Sequence, residues 1–374
     1  MRRKSKRTFL SVFIAAAFVL GIVGSRPAEA AAYTVFTLNA AASNPSATGV
    51  CGTQQVGSGF PGSYNHAMLW NGPAGSAIDL NPNGFMVTLA QATNGSQQLG
   101  FGYSTATGEY NYHALLWNGS ANDYVDLNPA GFHRSFGYGM SGAQQVGYGV
   151  NGSWLDHALL WSGTAASYVD LNPSGFNYSY AYATSGTQQV GCSRLNSSYD
   201  PARAYLWNGT AASAVNLHPS VFDASCANGT NGAQQAGWAS GTTTGGNDHA
   251  LLWNGSATDW VDLNPAGCTQ SWVTGMSGAT EVGVGSGAAT GGAEHALLWS
   301  GTVGSVVDLN PAGFTQSRAL GIDALGNIVG YGTDSLGTRC ALLWVPVPEP
   351  STVVLMGMGV LGLLGWVWRR RNGS

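Results

Sequence analysis

Tryptophan comes round seven times at nearly one spacing, and this constrains the chain more than any other feature. Trp70, Trp117, Trp161, Trp207, Trp253, Trp299 and Trp344 stand 47, 44, 46, 46, 46 and 45 residues apart. A period in this range signals stacked supersecondary units, each burying its apolar face against its neighbours. Each tryptophan closes a short apolar run, as in His249-Ala-Leu-Leu-Trp253-Asn-Gly255.

The unit from Ser135 to Pro173 holds four short β-like runs, each ended by a turn signal. They are Phe136-Gly-Tyr-Gly-Met140, Gln144-Gln-Val-Gly-Tyr148, His157-Ala-Leu-Leu-Trp161 and Tyr168-Val-Asp-Leu171, the last stopped by Asn172-Pro173. Proline cannot donate to a ladder and so marks the strand end. Four antiparallel strands in about 46 residues is the size of a propeller blade. The second run occurs seven times, but the fourth is missing after Trp344, where the chain turns to Val345-Pro346. A matching piece, Phe36-Thr-Leu-Asn39, sits at the other end. The expectation is an all-β, seven-bladed β-propeller over residues 31–346, with an N-terminal strand completing the last blade. An open solenoid would need no such complement.

The loops between second and third runs vary most: nine residues from Gly57 to His66, thirteen from Gly100 to His113, ten from Gly147 to His157. In an up-and-down blade these loops emerge on one face, together with the blade-to-blade connections. Variable loops on a rigid scaffold are the usual place for binding residues.

Both ends of the chain differ in composition from the repeats. Arg2, Arg3, Lys4, Lys6 and Arg7 precede an apolar run from Phe9 to Val23 and a small-x-small site at Ala28-Glu29-Ala30. Residues 1–30 thus read as a secretory signal peptide. At the other end, residues 347–374 hold Pro348-Glu349-Pro350, a mostly apolar stretch over 352–368 that predicts a minimal transmembrane helix, and Arg369, Arg370 and Arg371. The arginines place that end in the cytoplasm and the repeats outside. Between the ends remain five arginines, no lysine and sixteen acids, about −11. Such a surface repels phosphate backbones, which argues against nucleic acid as a partner. Export permits disulfides. However, Cys51, Cys192, Cys226, Cys268 and Cys340 occupy different slots of the repeat and are odd in number. They read as small apolar side chains.

The tail resembles the PEP-CTERM sorting signal: a Pro-Glu-Pro motif, a short hydrophobic span and an arginine cluster, in that order. The resemblance implies a Gram-negative type of envelope, transient anchoring in the inner membrane, and cutting near Pro348-Glu349-Pro350 by an exosortase, a membrane protease-transpeptidase. It also implies an association with exopolysaccharide and biofilm. The repeats resemble the extracellular HAF repeat family, named for a His-Ala-Phe motif. Here the copies read His66-Ala-Met, His113-Ala-Leu, His157-Ala-Leu, His249-Ala-Leu and His295-Ala-Leu, with Arg203-Ala-Tyr and Cys340-Ala-Leu departing. That resemblance implies an extracellular setting and no particular activity.

Five histidines at one slot invite a metal reading, but blade geometry opposes it. Neighbouring copies, a seventh of a turn apart and about two strand spacings out from the innermost strand, cannot share an ion held at about 2 Å. These histidines are expected to be structural and hydrogen-bonded, and the tryptophans to fill the space between blades. The aspartate slot (Asp79, Asp126, Asp170, Asp262, Asp308, with Asn216 in one copy) reads as a turn closure. No P-loop, His-Glu-x-x-His, Gly-x-Ser-x-Gly or paired-cysteine motif is present. No catalytic residue, metal or cofactor is therefore assigned.

Non-repeated loop residues are the better candidates for function: Tyr64, Tyr110, Tyr112, Trp154, Arg194 and Tyr199 as ligand-binding residues, with Glu109, Asp156, Asp200, Asp248, Glu294 and Asp334 among them. Aromatic rings mixed with polar groups suit sugar rings. The expected function is a non-enzymatic surface or matrix protein binding polysaccharide or protein. The alternative is an extracellular glycan-active hydrolase or lyase, which would need an acid pair that nothing here singles out.

Overall fold

The computed structural model describes residues 33–38, 40–105 and 110–347. The signal peptide, Glu109, the Pro-Glu-Pro motif, the expected helix at 352–368 and the arginine cluster lie outside the described residues. Seven four-stranded antiparallel sheets follow one another along the chain. The third is representative: Phe132–Ser141 innermost, then Gln144–Asn151, Asp156–Trp161 and Val169–Asp170 at the rim.

The seventh sheet is completed from the far end of the sequence. Tyr33–Thr37 pairs antiparallel with Arg339–Pro346. Thr37 stands opposite Leu342 just as Asp79 stands opposite Met68. Leu38 N donates to Ala341 O at 2.9 Å, as Leu80 N does to Ala67 O at 2.8 Å. The strand begins three residues earlier than the repeat pattern requires, since no hairpin holds it and it needs more ladder. Tyr33 lies opposite Pro346, beside the inner hairpin turn at Gly326. The chain therefore enters and leaves on the face of the inner hairpins, opposite the variable loops.

The Gln-Gln-Val-Gly run is explained by two close approaches. An added Cβ at Gly237 would stand 2.0 Å from Cys226 O, and the other six copies repeat this at 1.8–2.1 Å. Only glycine lets the second strand lie that close to the inner one. The second glutamine is buried, and its Oε1 accepts from the backbone N–H just beyond the tryptophan, as Gln235 does from Gly255 at 3.0 Å. Its Nε2 reaches the preceding blade, as Gln98 does Gln54 and Gln235 does Gln188.

The sixth blade has Glu281 in this slot. Its Oε2 accepts from Gly301 N, but Oε1 is buried with no partner. Burial pushes its carboxyl up, against the lowering effect of the Gly301 bond. The folded protein thus holds a proton that the unfolded chain loses, and this contribution to stability falls as pH rises from the ordinary glutamate range towards the raised value. Glu281→Gln, which restores an N–H donor, should stabilise the protein by about 1 kcal/mol near neutral pH. The gain should shrink in melts run near pH 4. A gain independent of pH would show that ionisation is not its source.

The core lies between blades. Every repeat tryptophan is at most 1% exposed. Trp253 packs on Val190, Leu206 and Leu217 of the blade before it. Trp299 and Trp344 donate from Nε1 to Leu263 O and Leu309 O across the boundary, each at 3.0 Å. The five cysteines are free thiols. Cys192 and Cys226 are buried together against Ala202, while Cys51, Cys268 and Cys340 are part-exposed.

Candidate functional site

The repeat histidines close their own blades. Each Nδ1 meets Oδ2 of the aspartate thirteen residues on: His66–Asp79 and His113–Asp126 at 2.7 Å, His157–Asp170 and His295–Asp308 at 2.6 Å, His249–Asp262 at 2.9 Å. The other carboxylate oxygen accepts from the backbone N–H two residues on, as Asp79 Oδ1 does from Asn81 at 2.8 Å. The Asp-Leu-Asn-Pro turn and the His-Ala-Leu strand are thereby tied together. Among the described residues, no three metal-binding side chains come together.

The axis carries the variation. In every blade the ladder between inner and second strands slips by one residue at the same place, as between Gly137 and Gly139. Such a bulge re-aims the extra side chain. The seven extra residues, Thr48, Gln91, Tyr138, Tyr182, Asn228, Thr274 and Leu320, all line an opening of about 480 Å³ with Trp238 and Trp272. It lies on the variable-loop side. A constriction of about 180 Å³ between the seven inner strands leads to a second vestibule of about 670 Å³ at the inner hairpins, lined by side chains such as Thr93, Ser141, Thr184 and Met276.

Aromatic rings form a continuous wall over the second to fourth blades. Tyr110 meets Tyr103, Tyr103 meets Tyr112, and Tyr112 meets Phe101 and Phe136, with centroids 4.9–5.7 Å apart. Phe136 stacks on Tyr148 at 4.7 Å, Tyr148 meets Tyr180 at 5.0 Å, and Tyr180 stacks on Tyr182 at 6.3 Å. Tyr180 Oη donates to Asp156 at 2.7 Å. Burial raises the phenols of Tyr148 and Tyr180, with Asp156 adding to both. Tyr148 and Tyr180 therefore stay neutral and hydrogen-bonding at any ordinary pH. Across the mouth, the Arg318 guanidinium forks onto Glu294 and lies 5.4 Å over Trp272.

The expected ligand residues divide. Tyr110 and Tyr112 join the wall. Trp154, 59% exposed, stacks on His133 at 4.2 Å with Arg134 nearby, at the end of its own loop. Tyr110 and Trp154 both hold a left-handed backbone (φ 63° and 62°), uncommon for bulky residues. Tyr64 and Tyr199 project into solvent. Arg194 braces its loop through Asp200 O at 2.6 Å, while Asp200 accepts from Asn196 N and Ser197 N. Asp334 likewise closes its loop on Leu336 N and Thr338 N. The loop reading missed Tyr138, Tyr148, Tyr180, Tyr182, Trp238 and Trp272, which sit inside regular strands. One signal was available: their slots change from blade to blade, while the glycine of the second run beside them does not.

Residues 346–371 match the PEP-CTERM protein-sorting motif family. None of the curated proteins matches the chain in sequence. Among solved structures, the chain is similar to the β-propeller domain of the Trilobed protease from Pyrococcus furiosus, at a TM-score of 0.57 and 9% identity over 81% of this chain and 95% of that one. It is also similar to an acylaminoacyl peptidase from Pyrococcus horikoshii (0.55, 10% identity, 84% of this chain and 54% of that one). An oligogalacturonate lyase from Vibrio parahaemolyticus is comparable (0.52, 10% identity, 85% and 97%). At such identity the likeness is one of fold. The protease domain is described as having an open velcro topology; here Tyr33–Thr37 clasps the last blade.

The fold and tail define a seven-bladed β-propeller of four-stranded antiparallel blades that carries a sorting motif at its C-terminal end. The motif implies export and processing by an exosortase.

Proposed function

We propose that this is a non-enzymatic surface or extracellular-matrix protein that binds polysaccharide or protein through the variable-loop mouth of its propeller. The observation that carries this reading is the unbroken aromatic wall from Tyr110 to Tyr182, opening on a ring of axial side chains. Neutral phenols beside Gln91, Asn228 and Thr274 offer stacking surfaces and hydrogen bonds to hydroxyl groups, the chemistry a sugar chain needs. Asp156 and Glu294 at the mouth are engaged, by Tyr180 and by Arg318, which argues against their serving together as an acid–base pair. The resemblance to HAF repeats and the association of the sorting motif with exopolysaccharide agree with this setting.

The test is a glycan array probed with and without calcium, followed by titration of the best glycan. Tyr112→Ala and Trp272→Ala should each weaken binding about 30-fold, as for side chains that dominate an interface. Tyr199→Ala, far out on its loop, should change it less than twofold. A blank array with folded protein would overturn the glycan reading and leave a protein partner. Glycan cleavage abolished by Asp156→Asn or Glu294→Gln would establish the enzyme instead.

A further inference from the structure

We propose that the groove beside the closing strand receives the carboxylate of a sugar acid, with Arg339 as its anchor. This rests on the polysaccharide-binding reading above and gives it a ligand class. A strip of alternating rings and guanidinium groups leads outward from Trp272 of the sixth blade along the seventh: Arg318, Tyr331, Arg339. Arg318 is neutralised by Glu294. Arg339 is not: its guanidinium lies 3.4 Å from the Tyr331 ring centroid, and among the described residues no carboxylate pairs with it. Its Nε is buried without an acceptor. Burial pushes its pKa down; Tyr331 works against this, and nearby Arg318 adds to it. A half-buried guanidinium with no counter-charge is costly, and an arriving anion would relieve that cost.

The place for the anion is beside it. Arg339 lines a groove of about 340 Å³ whose far side is Ala42, Ser43, Asn44 and Pro45, where the chain passes from the closing strand into the first blade. Asn44, at the lip, is exposed and holds a left-handed φ of 48°. The groove thus joins a planar cation, an apolar floor and two small polar side chains. A guanidinium fork matches a carboxylate with two parallel hydrogen bonds, and Asn44 and Ser43 stand where sugar hydroxyls need partners. One cation on a protein with this acid excess suits one charge per sugar ring, not the dense charge of a polyphosphate.

The experiment uses the full chain in detergent, titrated at low salt with a tetramer of β-1,4-glucuronate and with cellotetraose, which differs only in having hydroxymethyl groups for carboxyls. The glucuronate tetramer should bind at least tenfold more tightly. Arg339→Gln should remove that preference while leaving cellotetraose unchanged, and Arg339→Lys should keep part of it. Ser43→Trp, made at an exposed position, should block the groove independently, so the outcome does not hang on one variant folding. Equal affinity for the two tetramers would overturn the carboxylate site and leave the polysaccharide reading standing. Binding of neither would overturn the carboxylate site, and the polysaccharide reading would then stand or fall on the glycan array. A preference that survives both Arg339→Gln and Ser43→Trp would overturn the groove as its seat.

Discussion

Trp253→Ala should destabilise the protein by about 3–5 kcal/mol, the range for a large aromatic side chain removed from a close-packed core. Trp253 is fully buried and sits between two blades, so its loss empties the contact with Val190, Leu206 and Leu217 as well as its own strand. In a repeat protein, stability is a sum of unit and interface terms. The closed ring shares the damage, because the blades on either side cannot separate without breaking the closure as well. Denaturant titration is the check: the midpoint should fall with little change in slope. Trp154→Ala is the control, since that ring is largely exposed and should cost no more than about 0.5 kcal/mol. Equal effects at the two positions would contradict the inter-blade role.

Phe36→Pro should be the most damaging change at the closure. Leu38 N donates inward to Ala341 O. Inward and outward amides alternate along a strand, so Phe36 N also points into the ladder and Val35 N points out. Proline at position 36 removes a ladder bond and a ring packed near Leu343 and Trp70. Together these amount to about 2–4 kcal/mol. Val35→Pro leaves the inward bonds in place and should cost clearly less, since an outward amide at a sheet edge is where proline is tolerated. Freeing Tyr33–Thr37 would also expose Arg339–Pro346 as an unpaired edge, so Phe36→Pro should aggregate in a concentration-dependent way. Thermal melts and light scattering on the two variants decide this. Matching losses would mean the closing strand is held by side-chain packing alone.

Both outcomes bear on how much the sequence already carried. The ring, its blade count and its clasp were legible because the tryptophan period, the seven copies of the second run and the unmatched fourth run together point to a closed ring. The placement of the histidines was foreseen only as hydrogen bonding; their partner lay thirteen residues on and needed the third and fourth strands paired to be seen. The binding mouth was half legible. Tyr110 and Tyr112 stood out in an irregular loop, whereas Tyr138 and Tyr182 looked like ordinary strand residues until the bulge turned them to the axis. Glu281 does not stand out because five of the other six copies of its slot hold glutamine and the last holds Ile328, and the meaning of one missing N–H lies in burial.

The position of the two chain ends has a consequence for display. The strand that carries Trp344 ends at Pro346, one residue from the start of Pro348-Glu349-Pro350. An extended chain gains at most about 3.6 Å per residue, so the leash from the last ladder bond to Thr352 is no more than about 22 Å long. Whatever grips the tail, whether bilayer or processing enzyme, holds the propeller like a bowl by its foot. The hairpin side lies towards that hold, and the aromatic mouth lies on the opposite face of the propeller.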